Sequence, residues 1–301
     1  MTGNNRDYCK NATSPINISM SGIMGPCVLK CDYNYDYGTY SPNITNSRSY
    51  LSLNYSGKTN PVKYNDEQYN VTEVRIYRPS LHQYKGNTAD GEILIIHNGP
   101  GKNLIVSVPF IIGGKTDKGS VQLATLLSEA ALRTPNANES VTVSMGNFSL
   151  NNFLPNKKGY FSYTGTLPYG TCNGSYSYVV YNIDDALNIN LEILAKLNKI
   201  ISKTTASIKD NNFFYNKNGA NSKGNDDNIY IDCQPVNEEG QLLVQEGTSA
   251  QTSQSAKSSG PSIEGVDDGY QMLEGLLIGA ILVYGLVFVF KRMRRSSLDA
   301  K

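Results

Sequence analysis

Two neighbouring stretches constrain this chain more than any others. Glu73-Val-Arg-Ile-Tyr-Arg78 alternates polar and apolar residues, and Gly91-Glu-Ile-Leu-Ile-Ile-His-Asn-Gly99 is an almost unbroken apolar run. Both are rich in β-branched or aromatic side chains and are closed off by proline, glycine or asparagine, the pattern of adjacent, largely buried strands. Successive side chains in a strand alternate between faces, so Glu73, Arg75 and Tyr77 share one face. Leu94 meets them from the second strand. The expectation is a cleft with these residues on its floor.

The rest of the chain fits a fold built around such strands. Short alternating segments recur at 49–55, 104–112, 140–145, 160–164 and 175–181, separated by Gly, Asn and Pro. Helical spacing of apolar residues predicts helices over 121–133 and 184–202 alone. The fold class is therefore predominantly β (α+β) with peripheral helices. A chain of 301 residues, 39% hydrophobic, holds one large domain or two small ones with appendages. Residues 1–240 are read as the globular part.

Beyond it the composition changes twice. Residues 241–271 are rich in Ser, Gln, Thr and Gly and read as a flexible stalk. Residues 272–290 are almost wholly apolar and, as a helix of ~1.5 Å per residue, reach close to the ~30 Å of a hydrocarbon core. This segment reads as a single membrane span. Residues 291–301 form a short basic tail, which the positive-inside rule places opposite the globular part. The first ten residues lack the apolar run of a secretory signal. Once the tail is set aside the globular part is near neutral, so a nucleic-acid partner, which demands clustered positive charge, is not expected.

Reaction chemistry is sparse. The chain has two histidines, His82 and His97, and five cysteines, Cys9, Cys27, Cys31, Cys172 and Cys233. The glycines of Gly99-Pro-Gly101 and Gly113-Gly114 lie outside any phosphate-loop frame. No Ser or Cys has a spare histidine to activate it.

Five fragments fall in the order and spacing of one family: Thr13-Ser-Pro-Ile-Asn-Ile18, Gly91-Glu-Ile-Leu-Ile-Ile-His97, Val106-Ser-Val-Pro-Phe110, Phe153-Leu-Pro155 and Tyr160-Phe-Ser-Tyr-Thr-Gly-Thr-Leu167. Over roughly 9–197 the chain resembles the α-carbonic anhydrases; the family's C-terminal Asn-x-Arg-Pro segment is not recognisable. The resemblance implies a large, twisted, mostly antiparallel sheet with a conical cleft. It places the three zinc histidines on Arg75, Tyr77 and Leu94, the hydroxide-orienting threonine on Pro168, its glutamate on Leu81 and the proton shuttle on Arg48. A catalytic zinc needs three protein ligands and an open position, so the resemblance implies no metal, no cofactor, no catalytic residue and no hydratase. It leaves Glu92 at the place of a carboxylate behind the ligands, without the imidazole it would orient. His82 and His97 match structural histidines and are expected to be satisfied core groups. Cys9 and Cys172 match a disulfide of secreted members, while the pairing among Cys27, Cys31 and Cys233 stays open.

The order of parts, an inactive carbonic anhydrase-like domain, a stalk, one span and a basic tail, resembles the poxvirus envelope proteins that bind cell-surface chondroitin sulfate. This implies a single-pass virion-membrane protein with its domain outward, attaching to a host glycosaminoglycan or a host protein. A structural membrane protein contacting other virion proteins is the alternative. The first binding candidates are Arg48, Lys58, Lys63, Arg75, Tyr77 and Arg78, since arginine suits bidentate anion contacts.

Overall fold

The computed structural model describes residues 11–27 and 30–222. In chain order its strands are β1 (Asn17–Ile18), β2 (Ile23–Pro26), β3 (Tyr33–Tyr35), β4 (Asn43–Asn46), β5 (Leu51–Asn54), β6 (Val62–Tyr64), β7 (Glu67–Tyr77), β8 (Gln83–Tyr84), β9 (Asn87–Thr88), β10 (Gly91–Asn98), β11 (Asn103–Ile112), β12 (Ser140–Thr142), β13 (Tyr160–Gly165), β14 (Tyr176–Tyr181), β15 (Leu187–Ile189) and β16 (Phe213–Asn216). The helices are α1 (Lys118–Arg133) and α2 (Leu191–Ile200).

One sheet dominates, with strands in the order β12-β4-β5-β7-β10-β11-β14-β13-β16-β2. Most pairs are antiparallel; β11 with β14, β11 with β15, and β16 with β2 are parallel. The sheet is therefore mixed. Its centre is the expected pair: β7 and β10 run antiparallel with Leu94 opposite Arg75 and Glu92 opposite Tyr77. Strand alternation then sorts side chains into two cores. Val74, Ile76, Ile93, Ile95 and Val106 pack on one face together with Leu123, Leu126 and Leu127 of α1. Tyr77, Leu94, Ile96 and Ile105 pack on the other with Ile16, Ile18 and Phe161. A sheet buried on both faces explains why β10 reads as a continuous apolar run rather than an alternating one.

Helix α1 begins three residues before the apolar stripe does. Asp117 caps it, its carboxylate accepting from the Ser120 backbone N–H at 2.9 Å and from the Ser120 hydroxyl at 3.0 Å. The expected helix over 184–202 is corrected. Ile183–Asp185 is one 3-10 turn, and β15 follows it because Leu187, Asn188 and Ile189 pair in parallel with Phe110, Ile111 and Ile112. Buried Asn188 fixes this arrangement: its backbone N–H donates to the Ser120 hydroxyl, and its side-chain oxygen accepts from the Lys115 backbone. Tertiary pairing overrides a helical stripe here. Asn190 then starts α2, its side chain accepting from the Ile193 backbone at 2.8 Å. Asn190→Ala is expected to cost about 1 kcal/mol in urea unfolding. No change would remove the cap as the reason α2 begins where it does.

The structure pairs Cys27 with Cys31, with Cα atoms 5.6 Å apart. Cys172 is also disulfide-bonded. Cys9, the partner that the resemblance implies for it, and Cys233 lie outside the described residues. So do the stalk over 241–271, the span over 272–290 and the tail over 291–301. Among the described residues no helix is long and apolar enough to cross a membrane.

Candidate functional site

The cleft face of β7 carries Glu73, Arg75 and Tyr77, as the strand period requires. Arg75 is held on every side. Its Nε donates to Glu73 Oε2 at 2.8 Å, its Nη2 lies 2.8 Å from the same oxygen, and its Nη1 donates to the Tyr77 hydroxyl at 3.2 Å. Glu73 is itself steadied by the Ser52 hydroxyl from β5, 2.8 Å away. The guanidinium carbon lies 4.3 Å from the ring centre of Tyr50 and 4.0 Å from that of Tyr169. These are cation–π distances, and partial burial makes such contacts stronger than on an open surface.

The electrostatics follow from this packing. Burial works against the Arg75 charge, but Tyr77, Tyr169 and Glu73 outweigh it and hold the group as a firmer cation than usual. Burial pushes the phenols of Tyr77 and Tyr169 upward, the latter to about 12, although the neighbouring arginine pulls both down. At neutral pH the site is one fixed cation surrounded by neutral phenols, with one carboxylate behind it.

Above this cluster is a pocket of about 490 Å³, lined by Ser49, Tyr50, Arg75, Tyr77, Tyr169 and Thr204 among others. A second depression of about 330 Å³ shares Tyr169, Gly170 and Thr204 with it and continues to Ser207 and Lys209. Neither lining includes an acidic residue. The wall formed by residues 202–204 is tied down: the Ser202 and Thr204 backbone N–H groups donate to the carbonyls of Arg48 and Arg78, and the Thr204 hydroxyl donates to that of Ser49.

The six sequence candidates separate accordingly. Arg75 and Tyr77 are in the pocket, and exposed Arg48 adjoins it through Ser49 and Tyr50. Arg78 belongs to the scaffold, donating to the carbonyls of Ile201 at 2.9 Å and Asn198 at 3.2 Å, where it satisfies the C-terminal end of α2. Lys63 is removed from the site. It sits opposite Gln68 of β7, about 23 Å along the strand from Arg75 at ~3.3 Å per residue, and pairs with Asp66. Lys58 pairs with Asp36 at 2.7 Å. Grouping Lys58 and Lys63 with the arginines is thus corrected: closeness in sequence to β7 is not closeness to the far end of an eleven-residue strand. Tyr50, Tyr169, Thr204 and Lys209 were not among the candidates. They reach the site from separate segments, and no local pattern marks them.

Behind the cleft floor lies a second constellation. Glu92 is fully buried and accepts from the Leu81 backbone at 2.6 Å, the His82 backbone at 3.1 Å and the Ser107 hydroxyl. His82 Nδ1 lies 2.5 Å from its other oxygen, and His82 Nε2 lies 2.7 Å from the Tyr163 hydroxyl. The expectation that Glu92 lacks an imidazole is therefore corrected: it orients His82 in place of a residue on β10. Burial pushes its carboxyl upward, but His82 and the hydrogen bonds from His82 and Ser107 outweigh that and hold it below the ordinary range. Both histidines are satisfied core groups, as expected; His97 bonds Tyr37 and the Leu104 carbonyl.

No family model matches the sequence, and no curated protein does. Solved structures do match in shape. The α-carbonic anhydrase of Photobacterium profundum superposes with a TM-score of 0.58 at 16% identity, over 70% of this chain and 92% of that one. The fold is that of the α-carbonic anhydrases. A hyperthermostable carbonic anhydrase from a hydrothermal vent chimney gives 0.56 at 19% identity, over 69% and 89%. Dioscorin, in a complex with ascorbate, gives 0.57 at 16% identity, over 68% and 86%.

Zinc, which this fold implies, does not fit the residues present. The three positions assigned to its ligands do meet, since Leu94 is opposite Arg75 and Tyr77 lies beside it on β7. Their chemistry fails the donor test: a guanidinium has no lone pair to give, leucine has no donor atom, and the Tyr77 phenol is held protonated by burial. Among the described residues no group of three His, Cys, Asp or Glu is placed to hold a metal ion.

Proposed function

We propose that this chain is a non-catalytic carbonic anhydrase-like protein of a virion membrane, anchored through residues 272–290, whose cleft attaches to a host cell-surface glycosaminoglycan. The observation that carries the reading is the Arg75 cluster. A fixed cation flanked by tyrosine rings and bordered by the hydroxyls of Ser49 and Thr204 lies on the strand positions that the resemblance gives to zinc ligands. Aromatic faces and hydroxyls suit sugar rings, and a guanidinium suits their anionic substituents. The absence of acid from the lining of both depressions supports an anionic ligand further.

The test is binding of the purified full chain to immobilised chondroitin and heparan sulfates at two salt concentrations. Binding that weakens with salt and falls on Arg75→Ala supports attachment through the cleft. Absence of binding at either concentration refutes it and points to contacts with other virion proteins instead.

A further inference from the structure

A polyanion is drawn to a surface by cations that no carboxylate already answers. Arg75 is not such a cation: its side chain is only 17% exposed, and Glu73 holds it at 2.8 Å. Lys58, Lys63, Arg133, Lys158 and Lys196 are each paired with an acid as well. Beside the pocket stand three that are not. Its lining residues Ser49 and Thr204 are joined by a hydrogen bond from the Thr204 hydroxyl to the Ser49 carbonyl at 3.0 Å, and each directly follows a cation, Arg48 or Lys203. The Ser202 backbone N–H donates to the Arg48 carbonyl at 2.6 Å, which sets Lys203 one residue from that contact. Lys199 joins them from the last turn of α2, next to Asn198, whose carbonyl accepts from Arg78. All three are exposed, and among the described residues none makes an ion pair. Glu139 approaches through its carbonyl, which accepts from the Asn46 backbone, but its carboxylate is taken up by Asn136.

The backbone at this place is firmly held. Arg48 has a φ of +66°, a left-handed conformation that suits glycine and costs an arginine. Fully buried Asn46 enforces it: its side-chain oxygen accepts from the Arg48 N–H at 2.8 Å, while its amide nitrogen donates to the carbonyls of Thr134 and Ile200, at the ends of α1 and α2. A charge is thus presented where the backbone alone would favour no side chain.

We infer that Arg48, Lys199 and Lys203 form an anion-binding rim along residues 198–204, over which a sulfated polysaccharide continues beyond the Arg75 pocket. This rests on the attachment reading above and gives the two parts different roles. The rim supplies the salt-sensitive attraction. Arg75, whose charge Glu73 offsets at long range, supplies contact within the pocket. Asn46 is then a positioning residue, since it ties the Arg48 turn to the ends of both helices.

The experiment measures binding of the full chain to immobilised chondroitin sulfate over a series of salt concentrations. Lys199→Ala combined with Lys203→Ala should weaken binding at least about tenfold at low salt and make its salt dependence shallower, because fewer counterions are released. Arg48→Gly should act in the same direction while leaving urea unfolding nearly unchanged, since glycine adopts the left-handed backbone without strain. Arg75→Ala should weaken binding and leave its salt dependence as it was. Lys58→Ala combined with Lys63→Ala removes two cations that are already paired, and should change binding by less than about twofold. Rim variants that bind like the native chain, beside an Arg75→Ala chain that does not, overturn the rim but leave attachment through the cleft. Equal losses in the rim pair and in the Lys58 and Lys63 pair also overturn the rim, by making the attraction one of overall charge. A native chain that does not bind overturns attachment itself, and the rim with it.

Discussion

His82→Ala is expected to destabilise the fold by about 3 kcal/mol, the cost of taking a hydrogen-bond donor from a buried carboxylate and a partner from a buried hydroxyl. Glu92 has no exposure, and its carboxylate is matched by four donors, one of them the imidazole. Without it the carboxylate keeps three of its four donors, and the Tyr163 hydroxyl loses its partner at the same time. The carboxyl would then relax by taking up a proton, so the deficit should shrink in acid. Replacing both groups, His82→Leu with Glu92→Leu, should cost less than the single substitution, because no unpaired charge remains. Urea unfolding of the three chains reads this directly. A single variant within 1 kcal/mol of the native chain would show that the pair contributes little.

The second large effect is on acid stability, through His97. Its Nδ1 faces the Leu104 carbonyl at 3.2 Å, which can only accept, so the proton sits on Nδ1 and Nε2 accepts from the Tyr37 hydroxyl at 2.9 Å. Tyr37 accepts in turn from Tyr33, also at 2.9 Å. A second proton has no acceptor in this chain of bonds. Burial accordingly pulls the His97 pKa down to about 4 from an ordinary 6.5. The unfolded chain binds the proton below pH 6.5 and the folded chain refuses it until about pH 4. Stability therefore falls as pH drops through that window and levels off beneath it, by roughly 3 kcal/mol at ~1.4 kcal/mol per pKa unit. Glu92, whose carboxyl is depressed, keeps its contribution above its unfolded value and loses it only as pH falls further, through its folded value. His97→Gln should flatten the loss between pH 6.5 and 4. An unchanged slope would place its origin elsewhere.

Much of the scaffold was legible because it is local. The shared face of Glu73, Arg75 and Tyr77 follows from a two-residue period that the β7 stretch displays by itself, and Leu94 does meet that face, opposite Arg75. α1 was legible for the same reason, short of its capped first turn. Residues 187–189 were not, since a Leu-rich stripe reads as helix until β11 is there to pair with it. The site was half legible. Arg75 announces itself as a cation on a buried strand, but what it does depends on Tyr50 and Tyr169 closing over it, and neither carries a motif. Glu92 likewise found its imidazole in His82, on the turn before β8, rather than on its own strand, β10, where the resemblance looks for one.

Attachment through the cleft, as proposed, requires that the Arg75 cluster stand in place of a metal. Metal analysis of the full chain, incubated with excess zinc and then freed of unbound ion, tests it most directly. Far less than one zinc per chain is expected, with no hydration of carbon dioxide and no change in either on Arg75→Ala. One zinc per chain, lost on Arg75→Ala or Tyr77→Ala, would contradict it.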